Sequence, residues 1–353
     1  MPEAARARNG TPTGGHWNKR ALKRRIRRRL NSRFDCSVIG DVMLDVFLKH
    51  FASKAPFVRG GTSYLESARI CLGGAGNVAE GLSLLGGKVC FIGKAGNDSW
   101  GRIYEANLNA SSITTKIFFE PRISTGIALV GLHKKGERSF HVFRGANDRL
   151  SSKEIDRSAK LLGKSEYLYF CGYSLVANPQ RDAILHALTL AKKNGVKVFF
   201  DPGAYNLIDS DFRLFNELFH SCDVFCPNLD EAKAILKTHW LERVTRELRK
   251  TGKFTALKCG ARGCILINET ECIKVPGFEA NCVDTTGAGD AFAAALIYGL
   301  INHFPLICIG QLASWFAAQV TKGIGARSFP DKSRVCAFLT RVRKQTDNAC
   351  PGL

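Results

Sequence analysis

The stretch DTTGAGDAFAAALIYGL, residues 284–300, places small residues and a carboxylate where an apolar helix is expected to begin. Apolar side chains recur at four-residue spacing from Phe292 to Leu300, so the pattern predicts a helix that starts at the glycines. The first N–H groups of a helix lack intrahelical partners, and with the helix dipole they form a site for an anion. Because Gly287 and Gly289 carry no side chain, a phosphate could approach the backbone closely there.

Asp290 lies in the first turn of this predicted helix, where its carboxylate would sit beside a bound phosphate. Phosphoryl transfer needs such a group to accept the proton of the attacking hydroxyl, while N–H donors stabilise charge on the transferring group. The alternative is structural: Asp290 caps the helix and the glycines form a turn, because acidic residues are common at helix starts. The motif alone leaves both interpretations open, and a predicted strand leads into it up to Val283.

Three more polar groups follow predicted strands or begin predicted helices. GDVMLD places Asp41 and Asp45 directly after the first strand, at the edge where an open parallel sheet gathers its ligands. CPNLDEA offers Asn228 and Glu231 three residues apart, so that both could face one Mg²⁺-bound water, or else simply cap a helix. LGGAGNVA places a third group at a loop-to-helix junction: Gly73, Gly74, Gly76 and Asn77. With the GAGD motif there are four such groups, each near the end of a predicted strand or the start of a predicted helix, and together they favour one shared site.

The elements that must position these groups alternate along the chain from Phe34 onward. FDCSVIGD, KVCFIGKAG, EYLYFCGYS, VKVFFDPG, DVFCPN and FTALKCG read as strands, and helical patterns fall between them. Strands that are apolar on both faces predict a mostly parallel sheet covered on both sides by helices. Two stretches, about residues 46–72 and 121–147, lack helical periodicity; the second has strand patterning around a KKGE turn, so we expect a small β-flap.

Composition limits the class of protein. The 353 residues are 45% hydrophobic and 23% charged, as in an ordinary globular protein with one large domain. No apolar run is long enough for a membrane span, and no secretory signal follows the charged N-terminus, so a cytoplasmic protein is expected. Thirteen cysteines lie singly in apolar runs and read as free thiols.

The net charge of +20 is concentrated at the N-terminus. Residues 1–33 hold eleven Lys and Arg against Glu3 alone, which accounts for half of the total. Such a charge block predicts a solvated, disordered tail, and contact with RNA or another polyanion is the functional alternative.

Taken together, the motifs resemble those of the PfkB or ribokinase-like carbohydrate kinases. The segments that carry the resemblance are GGAGNVAEGLSLLGGKVCFIGKAGND, PNLDE and DTTGAGDAFAAALIYG, in the family's order and spacing, over about residues 34–330. The resemblance implies a ribokinase-like three-layer α/β/α sandwich with a mostly parallel central sheet and a small β-lid that often mediates a homodimer. We therefore predict a kinase domain at 34–345, with the lid at about 46–72 and 121–147, between tails at 1–33 and 346–353.

The resemblance also implies a role for each motif residue. It makes Asp290 the catalytic base and the amides of Gly287, Ala288 and Gly289 the anion hole. The implied sugar contacts are Asp45, Gly73, Gly74 and Asn77. The implied ATP contacts are Asn228, Lys258, Gly260 and Gly263, with Glu231 organising Mg²⁺ through water. A monovalent cation, K⁺, would lie at Asp284, Thr286, Gly325 and Ser328, although the glycine spacing of VTKGIGARSFP differs from the ribokinase version.

Signals for the acceptor conflict. IGDVMLD with GGAGNVA is similar to the heptose-phosphate kinase branch, but RGGTSYLESARICL replaces the proline-rich lid segment expected after it. GERSFHVFRGANDRL is similar to fructokinase and ketodeoxygluconate kinase relatives, in which the arginine, here Arg144, can touch the substrate; the alternative is a solvent-facing charge at the lid edge. Adenosine kinases are a third branch. The prediction is an ATP-dependent sugar kinase, with a nucleoside kinase or a non-catalytic regulator with a polyanion-binding tail as alternatives.

Deletion of residues 1–33 separates the kinase from the regulator hypothesis. If the protein is a kinase, sugar-dependent ADP release by the truncated chain should match that of the full chain. If the tail binds a polyanion, a salt-sensitive association with RNA should be lost on deletion, which filter binding at low and high salt would measure. Loss of ADP release from a folded truncated chain would contradict the assignment of catalysis to the domain alone.

Overall fold

The computed structural model describes residues 33–50, 62, 64–132 and 138–349, and from Arg33 onward the chain forms one compact unit. The predicted basic tail, apart from Arg33, lies outside the described residues, as does the predicted KKGE turn at 134–137.

Nine strands form the main sheet. In chain order they are β1 (Phe34–Ile39), β4 (Val89–Gly96), β5 (Thr114–Glu120), β8 (Ser165–Cys171), β9 (Lys197–Asp201), β10 (Val224–Phe225), β11 (Phe254–Lys258), β12 (Cys264–Ile267) and β13 (Cys272–Val275). Their order across the sheet is β13-β12-β11-β10-β9-β8-β1-β4-β5. Pairing is parallel from β11 to β5 and antiparallel at the β11-β12-β13 edge. The predicted mostly parallel sheet is confirmed.

Helices cover both faces of this sheet. They are α1 (Gly76–Leu84), α2 (Ser99–Ala110), α3 (Ser152–Leu162), α4 (Gln180–Lys193), α5 (Tyr205–Ser210), α6 (Phe212–Ser221), α7 (Leu229–Leu236), α8 (Leu241–Lys250), α9 (Ala288–Ile301), α10 (Leu306–Val320) and α11 (Lys332–Ala349). Side chains of neighbouring strand residues point to opposite faces of the sheet, as the two-residue repeat of a strand requires. Phe199 packs on one face with α9 and α10, and Phe200 packs on the other with α4 and α6. The architecture is therefore the predicted three-layer α/β/α sandwich.

A second sheet of four strands forms the lid: β2 (Val42–His50), β3 (Leu65–Gly74), β6 (Gly126–Leu132) and β7 (Arg138–Phe143), in the order β3-β2-β6-β7. Its strands reach beyond the predicted stretch 46–72, because only two residues separate the end of β1 from the start of β2 and β3 continues almost to the start of α1. Asp45, expected directly after the first strand, therefore lies within the lid itself, and Gly73 and Gly74 lie in a strand and not in a loop.

The two faces of the lid differ in exposure at the central strands β2 and β6, whereas at the edge strand β7 both faces are open: Val142, in register with Ala128, is 54% exposed. Asp45 pairs with Ala128 in register, and both are buried on one face. The opposite face is apolar and open: Ile70 is 51% and Phe143 52% exposed, and Val46 lies between their strands. A sheet with one apolar face left uncovered has a surface that a partner could cover.

Two sequence-based boundaries are wrong. No strand leads to Val283: β13 ends at Val275, and Pro276, which has no N–H to donate, follows it. The N–H groups of Val283 and Asp284 instead donate to the Thr321 carbonyl, at 2.8 and 3.1 Å. At the C-terminus, α11 continues to Ala349 and so enters the segment 346–353 that was assigned to a tail.

The described part of the chain contains neither a membrane-spanning helix nor a disulfide. No helix there is long and apolar enough to cross a membrane. The twelve cysteines among the described residues are all free, in line with the sequence-based expectation.

Arg144 ties the lid to the main sheet. It follows β7, and its Nη1 lies 3.0 Å from Asp41 Oδ2, between β1 and β2. Its Nε lies 2.6 Å from Asp148 Oδ1, and Nη2 donates to Gln180 Oε1 and Asp41 Oδ1. The side chain is only 13% exposed, so the solvent-facing alternative is wrong. The predicted substrate contact stays a prediction, since protein acceptors already take four hydrogen bonds from this guanidinium.

Substitution Arg144→Met should destabilise the fold, because it leaves the buried Asp41 carboxylate without its cation. Breaking a buried pair by removing one partner typically costs about 3–5 kcal/mol, so we expect a loss of about 3 kcal/mol in the free energy of unfolding, measured by urea denaturation. The exposed Arg122→Met is the matched control and should change little. Parental stability combined with a raised KM for the acceptor would instead assign Arg144 to substrate binding.

Candidate active site

The start of α9 is built on a glycine that no other residue could replace. Gly287 caps the helix with φ +78°, and a Cβ there would lie 2.5 Å from the Ala326 carbonyl oxygen. α9 then begins at Ala288, as predicted. Of the predicted anion-hole amides, that of Ala288 donates to the Thr285 carbonyl at 3.2 Å in this structure. Ala288 and Gly289 both line the adjacent cleft.

The Asp290 side chain contacts a residue that is distant from it in the sequence. Its Oδ2 accepts a hydrogen bond from Asn77 Nδ2 at 2.9 Å, and Asn77 is the second residue of α1. Burial raises the pKa of Asp290 to about 6; the bond from Asn77 opposes that rise, as do Lys258 and Arg327, while the Asp201 carboxylate adds to it. A carboxylate with a pKa just below neutral is ionised at pH 7 and still basic enough to take a proton.

Asp45 lies close enough to Asp290 for the two charges to interact. Burial raises the pKa of Asp45 to about 7, and repulsion from Asp290 adds to that rise. The carboxylate fills space that a side chain at Gly73 would need, because a Cβ there would lie 2.5 Å from Asp45 Cγ. Gly74 has φ +69° and packs against the Asp41 carbonyl. The structure thus brings the four predicted sugar contacts together with Asp290.

A cleft of about 1310 Å³ opens beside the α9 N-terminus. All four predicted ATP contacts, Asn228, Lys258, Gly260 and Gly263, line it together with Glu231 and Asp290. The volume exceeds that of typical small-ligand pockets, about 300–1,000 Å³, so a nucleotide fits. Sequence reasoning missed much of the opposite wall, residues 277–283, because it assigned part of that segment to a strand.

A buried ion pair lines the same cleft. Lys258 Nζ lies 2.8 Å from Asp201 Oδ2, and 3.8 Å from the place where a Cβ on Gly289 would be, so its charge faces the start of α9. Burial opposes the charge of Lys258, but Asp201 and the neighbouring acidic groups outweigh it and raise its pKa. Asp201 was not predicted; its place at the end of the strand VKVFFD, at the same sheet edge as the other motifs, is the signal that could have found it.

Asn228 and Glu231 form a reciprocal helix cap. Asn228 Oδ1 accepts from the Glu231 N–H at 2.9 Å, and Glu231 Oε2 accepts from the Asn228 N–H at 2.8 Å. The capping alternative is confirmed. The same pair lines the cleft, and burial raises the pKa of Glu231 to about 7, against the effect of Lys258. Carboxylate and amide oxygens suit water-mediated Mg²⁺, so the residues fit this ion, and the Mg²⁺ role stays a prediction.

The predicted monovalent-cation residues are partly assembled. Asp284 Oδ1 accepts from the Thr286 N–H and hydroxyl, at 2.8 and 2.7 Å, and Oδ2 accepts from the Gly325 N–H at 2.8 Å. The Ser328 hydroxyl donates to the Ile324 carbonyl at 3.0 Å. Within the described ranges, no group of three or more His, Cys, Asp or Glu side chains could hold a metal by itself. The K⁺ site stays a prediction.

Two curated kinases are similar to this chain in sequence over most of its length. Ribokinase of Mus musculus is 29% identical over 305 residues, covering 82% of this chain and 90% of that protein. Deoxyribokinase of Salmonella typhi is 28% identical over 316 residues, covering 87% and 99%.

Solved structures agree in fold. A probable sugar kinase of Rhizobium etli superposes with a TM-score of 0.79 at 24% identity over 88% of this chain and 99% of its own. Adenosine kinase of Sinorhizobium meliloti gives 0.78 at 23%, and a putative ribokinase II of E. coli in complex with ATP and Mg²⁺ gives 0.76 at 22%, each covering 87% and 99%.

One family model, described as pfkB family carbohydrate kinase, matches residues 33–333. The protein therefore belongs to the pfkB family of carbohydrate kinases and is a phosphotransferase with an alcohol group as acceptor.

Proposed function

We propose that the protein is an ATP-dependent kinase that transfers the γ-phosphoryl group of ATP to a hydroxyl of a monosaccharide or sugar derivative. The observation that carries this proposal is the position of Asp290, which lies in the first turn of α9, lines the cleft and is hydrogen-bonded to Asn77 at 2.9 Å. One carboxylate thereby faces both a nucleotide-sized cleft and the predicted acceptor residues.

The proposed chemistry divides the work among this chain's residues. Asp290 accepts the proton of the acceptor hydroxyl, and Asp45 and Asn77 orient the acceptor. The amides at Gly287 to Gly289 and the Lys258 ammonium stabilise charge on the transferring phosphoryl group. Mg²⁺, held through water near Glu231, would neutralise charge on the phosphates; the E. coli neighbour that contains ATP and Mg²⁺ supports this choice of cofactors. K⁺ near Asp284 is the candidate monovalent ion.

A nucleoside is the second candidate acceptor, because the adenosine kinase of Sinorhizobium meliloti shares the fold with a TM-score of 0.78. Measuring ADP release with fructose, ribose, ketodeoxygluconate, heptose phosphates and nucleosides would distinguish the candidates. A response to nucleosides alone would overturn the sugar proposal while leaving Asp290 as the base.

Substitution Asp290→Asn tests the base. The amide keeps the shape of the side chain but cannot accept the proton, so kcat should fall by about 10²–10⁴-fold with a modest change in ATP binding. Glu242→Gln, an exposed acid in the first turn of α8, is the matched control and should leave kcat unchanged. Parental turnover by the Asp290→Asn variant would contradict the assignment.

We further propose that a second copy of the chain covers the apolar lid face, forming a homodimer. The support is the exposure of Ile70 and Phe143 on that face, at 51% and 52%. A charge there should oppose association, so Phe143→Glu should convert the protein to monomers, as measured by light scattering on a sizing column. Trp240→Glu, on an exposed residue away from the lid, should not. An unchanged mass for Phe143→Glu would remove this face as the interface.

A further inference from the structure

We propose that Arg327 is a positioning residue for phosphoryl transfer, holding the Asn77 side-chain amide in the one orientation that donates a hydrogen bond to Asp290. The inference rests on the proposed role of Asp290 as the base. Arg327 was not among the residues that the sequence predicted, although it lies between the predicted Gly325 and Ser328.

Donor and acceptor chemistry fixes the orientation of the Asn77 side-chain amide. Arg327 Nε donates to Asn77 Oδ1 at 2.9 Å, and Asn77 Nδ2 donates to Asp290 Oδ2 at 2.9 Å. A guanidinium has donors only, and an ionised carboxylate has acceptors only. Rotating the amide by half a turn would place N–H₂ against the guanidinium and oxygen against the carboxylate, and both bonds would be lost. Arg327 therefore selects the orientation that supports Asp290.

Arg327 is itself held rigidly. Its Nη1 donates to Glu80 Oε2 at 2.6 Å and to Asn107 Oδ1 at 2.8 Å, and only 10% of the side chain is exposed. The guanidinium carbon lies 5.1 Å from the centre of the Tyr104 ring. A residue with several fixed partners from α1 and α2 loses little further freedom by orienting Asn77.

The same frame includes the glycine motif at the start of α1. Tyr104 Oη donates to the Gly73 carbonyl at 2.7 Å and accepts from the Gly76 N–H at 3.1 Å. A Cβ on Gly76 would lie 2.6 Å from Arg327 Nη2, so this glycine makes room for the guanidinium. Arg327 and Tyr104 thus each donate a hydrogen bond to a predicted acceptor contact, Arg327 to Asn77 and Tyr104 to Gly73.

The charge of Arg327 acts in the same direction as the hydrogen bond. Its Nη2 is buried and has no hydrogen-bond partner within the described structure, while Nη1 forms an ion pair with Glu80 Oε2 at 2.6 Å. The guanidinium charge lowers the pKa of both Asp290 and Asp45, against the larger effect of burial. The other titratable groups that interact with Asp290 are Asp45, Asp201 and Lys258, with Tyr169, Cys171 and Tyr173.

The test is the pH dependence of kcat/KM in Arg327→Met. The base works only when ionised, so activity of the parent should fall as the pH drops through about 6. Without Arg327 the ionised form of Asp290 loses support, its pKa rises, and the acid limb should move up by ~1 pH unit, which reduces kcat/KM about tenfold at pH 5 and about twofold at pH 7. KM for ATP should stay near the parental value, because Arg327 does not line the nucleotide cleft.

Asn107→Leu is the matched control. It removes one acceptor of Nη1 and leaves the bond from Nε to Asn77, so it should lower stability without moving the acid limb. In an Asn77→Ala background, Arg327→Met should shift the limb by less than it does alone, because the amide it orients is gone.

The outcomes decide between the hypotheses. A parental acid limb and parental kcat in Arg327→Met, or a shift that is fully additive with Asn77→Ala, would overturn the positioning role. If Arg327→Met does not fold, as judged by circular dichroism, Arg327→Lys decides: it keeps the charge but lacks the planar fork, so a smaller shift in the same direction is expected and none would overturn the proposal. Parental turnover in Asp290→Asn would instead remove the proposed function itself.

Discussion

The hydrogen bond between Asn77 and Asp290 joins the N-terminus of α1 to that of α9, two helices separated by 213 positions in the chain. α1 begins two residues after Gly74 and α9 one residue after Gly287, both glycines with positive φ, and the two helices pack in the same core on one side of the sheet. Their first turns must meet for a carboxylate and an amide to stand at one point, and the sheet order places them there. The predicted acceptor contacts, the cleft and the α9 amides are all arranged around this contact.

Holding so many charged groups together has an energetic cost. Asp45, Asp290 and Glu231 are all pushed toward neutral pKa values, mainly because burial removes them from water. Lys258, which lines the cleft, and Arg327, which contacts Asn77, offset part of that cost. Buried carboxylates with raised pKa values lower the free energy of unfolding above neutral pH, where they are ionised. The same pKa values are suited to proton transfer.

Much of the fold followed from local pattern. Strands with apolar residues on both faces predicted the parallel sheet, and the four-residue spacing after GAGD placed the start of α9 correctly. The boundary at Val283 failed because an apolar stretch was taken for a strand, whereas Pro276 and the contact with Thr321 make it a loop. Asp201 and Arg327 were missed for a different reason. Their significance arises only from tertiary contacts, such as that between Arg327 and Asn77, 250 positions apart.

The place of Asp45 on β2 gives the lid a part in the electrostatics. Asp45 lies on the lid sheet, while Asp290 belongs to the helix layer, so any change in the angle between the lid and that layer would change the separation of two like charges. Their repulsion is greatest when the two carboxylates lie closest, and it favours the state in which one of them holds a proton. The angle of the lid and the number of protons held by Asp45 and Asp290 together are therefore thermodynamically linked.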